Sequence, residues 1–185
     1  LLAIAPEELI QYEMGWKGRV LDGRGSITAA FFYSEYENRR YEYKAKNPDG
    51  SGTLIDGVTN VGDSTQYGLE LAANFQATDY LTITASLGLI EAEWDDGVEV
   101  EVSGALIDLS GKDTSNVVTE SWNLGLNYFR PLNNGFDFIA DVQLSHRGEQ
   151  DGGAPWDVLT NDSFEVVDLQ IGIQSDRWEL MLNID

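Results

Sequence analysis

Between Glu91 and Glu120 nine carboxylates (Glu91, Glu93, Asp95, Asp96, Glu99, Glu101, Asp108, Asp113 and Glu120) stand against one cation, Lys112. Oxygen donors at that density suit a divalent cation such as Ca²⁺, or draw in a cationic solute. Their spacing is not that of an EF-hand, and the reading adopted is a solvated acidic loop. A second group is basic and aromatic: Arg39, Arg40, Lys44 and Lys46 surround Tyr41 and Tyr43, and Trp156 lies in a later polar stretch. Guanidinium groups and aromatic faces in loops hold or stack on ligands. Arg39, Arg40, Tyr41, Tyr43 and Trp156 are therefore the candidate ligand contacts, against the plainer reading of surface charge and loop packing. Catalysis finds little support. His146, the sole histidine, adjoins Ser145, with Asp151 close by. Adjacent residues on a strand point to opposite faces, so Ser145 and His146 do not form a nucleophile–base pair. Asp95–Asp96 has no predicted pocket, and no glycine-rich phosphate loop sits between a strand and a helix. No catalytic residue, metal site or cofactor is assigned.

The elements that carry these residues are strands. Tyr67, Leu69, Leu71, Ala73 and Phe75 oppose Gly68, Glu70, Ala72 and Asn74. After a turn at Gln76–Asp79, Leu81, Ile83, Ala85, Leu87 and Leu89 oppose Thr82, Thr84, Ser86 and Gly88. A period of two puts one apolar and one small polar face on each arm. The same alternation runs through 10–20, 26–37, 117–129, 136–145, 163–174 and from Trp178 onward. Short turns near Gly23, Asp79, Gly135 and Asp176 alternate with polar segments at about 38–64, 95–116 and 146–162, all read as long loops. Glycines at Asp22-Gly23-Arg24-Gly25 are placed to take positive φ, and Asn134-Gly135 is a hairpin signal. Strands of about ten residues, short turns on one side, long loops on the other and aromatics near strand ends (Trp16, Phe31, Trp94, Trp122, Phe129, Phe136, Trp178) describe a membrane barrel wall.

Composition narrows the classes. The 185 residues carry 32 acids against 11 Lys and Arg, a net charge of −21, so nucleic acid is not an expected partner. There is no cysteine, hence no disulfide framework and no thiolate metal site. No apolar run reaches the about 18 residues of a membrane helix. The chain stops within the alternating run Trp178–Asp185, which is read as a piece of a larger barrel.

The sequence resembles the C-terminal half of the barrel of TonB-dependent outer-membrane receptors. The resemblance rests on Pro6-Glu7, Tyr12-Glu13-Met14-Gly15-Trp16-Lys17, Asp22-Gly23-Arg24 and Ala29-Ala30-Phe31-Phe32-Tyr33-Ser34-Glu35-Tyr36-Glu37. Asn60-Val61-Gly62 and Tyr67-Gly68-Leu69-Glu70-Leu71 follow in order. It covers residues 6–94 by motif and the remainder by rhythm. It implies an all-β fold: about eight antiparallel strands of a 22-stranded transmembrane barrel, with short periplasmic turns and long extracellular loops. Residues 1–185 would form part of that barrel domain, without the plug and closing strands. The implied function is reception and TonB-energised uptake of a scarce solute, foremost an iron-siderophore chelate, and not enzymology. The implied partners are outer-membrane lipid, the TonB complex through the plug, and a small-molecule chelate or other solute; the implied location is the outer membrane. On this reading Glu13, Lys17, Glu70, Asn74, Thr82, Thr84, Asn123, Asn127, Asp137, Asp141 and Gln143 face a wet or plug-lined lumen, which avoids the cost of polar burial. Two other architectures fit the pattern: a complete eight-stranded membrane barrel with a structural or adhesive role, and a soluble β-sandwich binding module.

Overall fold

The computed structural model describes residues 4–46, 54–102, 105–133, 135–151 and 160–184. Twelve strands follow in order: β1 (Glu8–Val20), β2 (Gly25–Lys46), β3 (Leu54–Gln76), β4 (Leu81–Trp94), β5 (Glu99–Val102), β6 (Ala105–Asp108), β7 (Glu120–Pro131), β8 (Asp137–Arg147), β9 (Gln150–Asp151), β10 (Thr160–Asn161), β11 (Phe164–Gln174) and β12 (Glu179–Ile184). Eight of them form one antiparallel sheet in the order β1-β2-β3-β4-β7-β8-β11-β12. Neighbours in space are neighbours in sequence, apart from two small hairpins, β5–β6 and β9–β10, that stand outside the sheet. Strands β1 and β12 are its two edges and do not pair with each other, so the described residues form an open wall and not a closed small barrel.

Register fixes the two faces. Trp16 pairs with Ala29, Ala29 with Leu71, Leu71 with Leu87 and Leu87 with Trp122. Leu124 pairs with Leu144, Val142 with Leu169, and Leu169 with Ile184. One side of the wall is thus apolar from edge to edge. The other carries Glu70 opposite Gly88, Asn74 opposite Thr84, Thr82 opposite Asn127, Asn127 opposite Asp141, and Gln143 opposite Asp168. The whole polar set expected from the alternation lies on this second face. A slip of one residue in any strand would mix the faces, so the unbroken pattern across seven pairings is what holds the register.

The apolar face is not covered. Met14 is 75% exposed, and Trp16, Phe31, Leu71, Leu89, Leu124, Leu126, Ile171, Leu180 and Leu182 are exposed with it. Soluble monomers rarely show apolar patches above a few hundred Å². Among the described residues no second sheet packs over it, which removes the sandwich architecture.

Two expectations about connections need correction. Within the segment 38–64 expected as a long loop, 38–46 and 54–64 are strand: β2 has 22 residues and β3 has 23, and they stay paired from Gly25↔Phe75 to Lys46↔Leu54 through a bulge around Arg39. At about 3.3 Å per residue β2 is about 70 Å long, roughly twice what a hydrocarbon core requires. The half remote from the short turns keeps the strand pairing but drops the apolar-against-small alternation. Likewise, the segments at 95–116 and 146–162 are not wholly irregular, since they hold β5–β6 and β9–β10. At the opposite end the connections are tight, as expected. Leu21, Asp22 and Gly23 take φ of 54°, 55° and 87°. Gly25 has already joined β2, so only one of the two glycines there uses its left-handed freedom. Arg24 clasps the neighbouring turn, donating to the Gln76 and Ala77 carbonyls while stacking on Phe75.

Candidate functional site

The polar face is a ladder of carboxamides and carboxylates. Asn127 Nδ2 donates to Asp141 Oδ1 at 2.9 Å, Gln170 Nε2 to Asn183 Oδ1 at 3.0 Å, and Gln143 Nε2 to Asn123 Oδ1. These bonds cross β7–β8 and β11–β12, so each side chain is held by its neighbour across the strands. The face can satisfy a hydrated or hydrogen-bonding surface while the opposite face satisfies an apolar one.

At the upper end of this wall lies the only buried hydrophobic cluster among the described residues: Trp94, Val98, Val100 and Leu109, with Tyr41, Val61 and Ile107 against it. It forms because the chain after β4 doubles back. Trp94 N–H donates to the Lys112 carbonyl at 2.9 Å, Gly111 N–H to the Trp94 carbonyl at 2.9 Å, and Leu109 N–H to the Val98 carbonyl at 2.8 Å. Thr65 Oγ1 donates to Asp95 at 2.9 Å. Asp108 accepts from the hydroxyl (2.6 Å) and backbone N–H (2.9 Å) of Ser110, and these bonds hold its carboxyl below the usual carboxylate range. The acidic segment is therefore a folded element with its own core. Its carboxylates ring that core, and among the described residues no three of them close on a point as metal ligands.

The ligand candidates scatter over this region. Arg39, Arg40, Tyr41 and Tyr43 belong to β2 and not to a loop. Arg39 is half-buried, its guanidinium stacked 5.0 Å from the Tyr36 ring and 5.6 Å from Trp94, with a 2.9 Å hydrogen bond to Ser64 Oγ. Burial lowers its pKa from the ordinary value, against the opposing influence of Tyr36 and Glu7. Arg39 is thus a pin between wall and folded loop. Arg40 is exposed. Tyr41 packs against the Trp94 cluster, and Tyr43 pairs through its backbone with Gly57. Trp156 lies outside the described residues.

Two further expectations are settled by the faces. Trp94 is not a lipid-facing girdle aromatic: it is 4% exposed and packs beneath the folded loop. Phe129 shares the polar face through its pairing with Ile139. Trp16, Trp122 and Trp178 remain on the apolar side, Trp178 in contact with Phe136 at 5.0 Å. His146 stacks flat on Trp122 at 5.4 Å, on the apolar side, with Glu120 at 3.3 Å and Glu165 at 3.7 Å. Ser145 pairs with Asn123 on the polar face, so the two do not meet.

An open, two-faced sheet with short turns at one end and folded loops at the other is matched by one family model, TonB dependent receptor-like, beta-barrel, over residues 3–185. The chain belongs to the TonB-dependent receptor β-barrel family. A relative from Acinetobacter baumannii, described as the probable TonB-dependent siderophore receptor PiuA, is 32% identical over 130 residues, 68% of this chain and 16% of that protein. The crystal structure of PiuA superposes with a TM-score of 0.70 at 25% identity, over 96% of this chain and 24% of that one. The yersiniabactin receptor FyuA of Yersinia pestis (TM-score 0.70, 18% identity, 96% and 24% covered) and the copper transporter OprC (0.71, 18%, 98% and 25%) share the fold. The chain spans about a quarter of the length of these structures. TonB-dependent receptors are receptors and transporters, not enzymes, in line with the absence of a catalytic assignment from sequence. What sequence reasoning missed in this TonB-dependent receptor wall is the folded loop and its Arg39 pin. The signal was present as Trp94, Val98, Val100, Ile107 and Leu109, apolar residues threaded through the acidic run.

Proposed function

We propose that this chain forms one stretch of the wall of an outer-membrane receptor that takes up a scarce solute with energy from TonB, and that the solute is an iron-siderophore chelate. On this reading residues 1–185 are part of a 22-stranded barrel whose plug and closing strands lie elsewhere in the parent protein. The apolar face meets lipid, the polar ladder meets the lumen, and the tall β2–β3 extension with the folded loop forms the extracellular mouth. The observation that carries the proposal is the uninterrupted two-faced register in a chain that belongs to this family; the likeness to PiuA favours the chelate. Arg39, Arg40, Tyr41, Tyr43 and Trp156 are proposed to border the solute path, with Arg39 positioning the loop and the exposed Arg40 free to reach an anionic chelate. The test is uptake of radiolabelled iron, offered as a panel of ferric siderophores, by cells with and without the intact parent gene. Expected is loss of uptake of at least one chelate in the deletion strain, with rescue by the gene only when TonB is present. Unchanged uptake of every ferric chelate, with loss of another solute's uptake, would overturn the substrate. Rescue without TonB would overturn the energetics.

A further inference from the structure

One short stretch of the β2–β3 ribbon receives contacts from two segments far from it in sequence. The register breaks between Tyr36↔Ser64 and Arg40↔Asn60, and Asn38 has no register partner on β1 or β3. Asn38 takes φ of 54°, a left-handed conformation that asparagine tolerates better than most side chains. Its backbone groups go to side chains of β3. Its N–H donates to Asp63 Oδ1 at 2.9 Å, and its carbonyl accepts from Asn60 Nδ2 at 2.6 Å. The bulge is therefore held by two side chains and not by the ladder. From there it reaches the folded loop. Arg39 bonds Ser64 and stacks on Trp94, and the Asp63 carbonyl accepts from Asp95 N–H at 3.1 Å.

Asn60 also holds the segment ahead of β1. Its Oδ1 accepts from Ala5 N–H at 2.7 Å, and its Nδ2 donates to the Ala5 carbonyl at 3.3 Å. One carboxamide thus gives Ala5 the two bonds that a strand neighbour would give, and its oxygen and its amide donors are all engaged. Burial lowers the pKa of Arg39 while Tyr36 and Glu7 oppose it, and Glu7 closes the segment that Asn60 holds. Every link from Ala5 to Trp94, through Asn60, Asn38 and Arg39, is a hydrogen bond or a ring contact, apart from the peptide bond that joins Asn38 to Arg39. We propose that Asn60 is a positioning latch that couples the segment ahead of β1 to the folded loop after β4, because the bulge that aims Arg39 at Trp94 keeps its shape only while Asn60 holds Asn38 and Ala5 together. Pro6-Glu7 and Asn60-Val61-Gly62, motifs more than 50 residues apart, are then two halves of one device.

The inference requires neither solute nor TonB and stands apart from the transport reading. Its test is hydrogen exchange of the intact receptor in detergent, run as a double-mutant cycle. Asn60→Ala should speed exchange of the Ala5 and Asn38 amides. Through Arg39 it should also speed the loop amides of Trp94, Leu109 and Gly111, by about five- to tenfold, the scale of one lost hydrogen bond. An Arg39→Lys background lacks the stacked guanidinium plane. There Asn60→Ala should still free Ala5 and Asn38 but leave the loop amides where the background has them. Ala5→Pro alters no ladder residue, removes only the N–H that Asn60 Oδ1 accepts, and carries the test should Asn60→Ala not fold. It should speed the loop amides about two- to threefold. Loop amides unchanged in both variants would overturn the coupling, as would an equal loop response to Asn60→Ala with and without Arg39. Equal acceleration along β7 and β8 would overturn the latch's local action.

Discussion

Replacing Leu109 by alanine should open the folded loop and leave the wall intact. Leu109 is 1% exposed, the largest fully buried side chain among the described residues, and it sits against Trp94, Val98 and Val100. The substitution removes three carbons' worth of buried surface, about 2–3 kcal/mol of transfer free energy, and leaves a cavity that raises the cost into the 2–5 kcal/mol range. With only four fully packed members the cluster collapses or admits water easily, which favours the lower half of that range, about 3 kcal/mol. The loop opens locally, so the whole cost appears as faster exchange of the amides that close it, on the order of 100-fold. The reporters are Leu109 N–H on the Val98 carbonyl, Gly111 N–H on the Trp94 carbonyl and Trp94 N–H on the Lys112 carbonyl. Hydrogen exchange of the intact receptor in detergent reads them directly, with amides of β7 and β8 as internal control. An acceleration of less than about threefold at those three amides would refute the buried cluster as the loop's anchor. Equal acceleration along β7 and β8 would refute the loop's independence from the wall.

Three shorter expectations test the faces, the close contacts and the charges. Leu126→Arg, on the apolar face, should destabilise the barrel by about 2–4 kcal/mol, whereas Asn127→Lys one position along should cost no more than about 1 kcal/mol; denaturant midpoints in lipid vesicles decide, and equal costs would contradict the two-faced wall. A Cβ at Gly68 would come within 2.5 Å of both the Leu89 carbonyl oxygen and the Phe32 ring, so Gly68→Ala should cost about 1–3 kcal/mol, read in the same unfolding assay. Asp108 has its pKa lowered by the Ser110 bonds, so its contribution to loop stability is complete above the unfolded-state value of about 3.9 and fades as pH falls through the lower folded value. Carbon-detected NMR of its carboxyl should show that depressed titration in the wild type and its return towards the ordinary value in Ser110→Ala.

The wall was legible because its physics is written at period two. Leu81, Ile83, Ala85, Leu87 and Leu89 alternate with Thr82, Thr84, Ser86 and Gly88, and the observed register keeps those sets apart across every strand. Where the environment stops differing between faces, the alternation stops carrying information. Over 38–46 and 54–64 the apolar–polar alternation is lost, yet the backbone remains paired through a bulge. Nothing in hydrophobicity separates such a ribbon from a loop, and only its Tyr, Val, Ile and Thr content, favourable to extended chain, hinted at it. Arg39, Arg40, Tyr41 and Tyr43, read as loop residues, therefore lie on β2.

The folded end of the wall was harder to read because its order arises from contacts distant in sequence. Arg39 meets Trp94 and Ser64, and Val98 lies so near Gly62 that a Cβ there would come within 2.7 Å of it. Those pairings depend on β2, β3 and β4 lying side by side, which the central alternation sets but does not display. Charge obscured the rest. Nine acids between Glu91 and Glu120 read as a solvated run, yet solvation of the carboxylates and burial of Trp94, Val98, Val100 and Leu109 are not in conflict. A short hairpin can turn its acids outward where its apolar residues turn in, and the packed core beneath them holds the segment together. Leu109→Ala tests that core. If the amides that close the loop do not respond, the segment is held by its hydrogen bonds to β3 and β4 and not by the cluster.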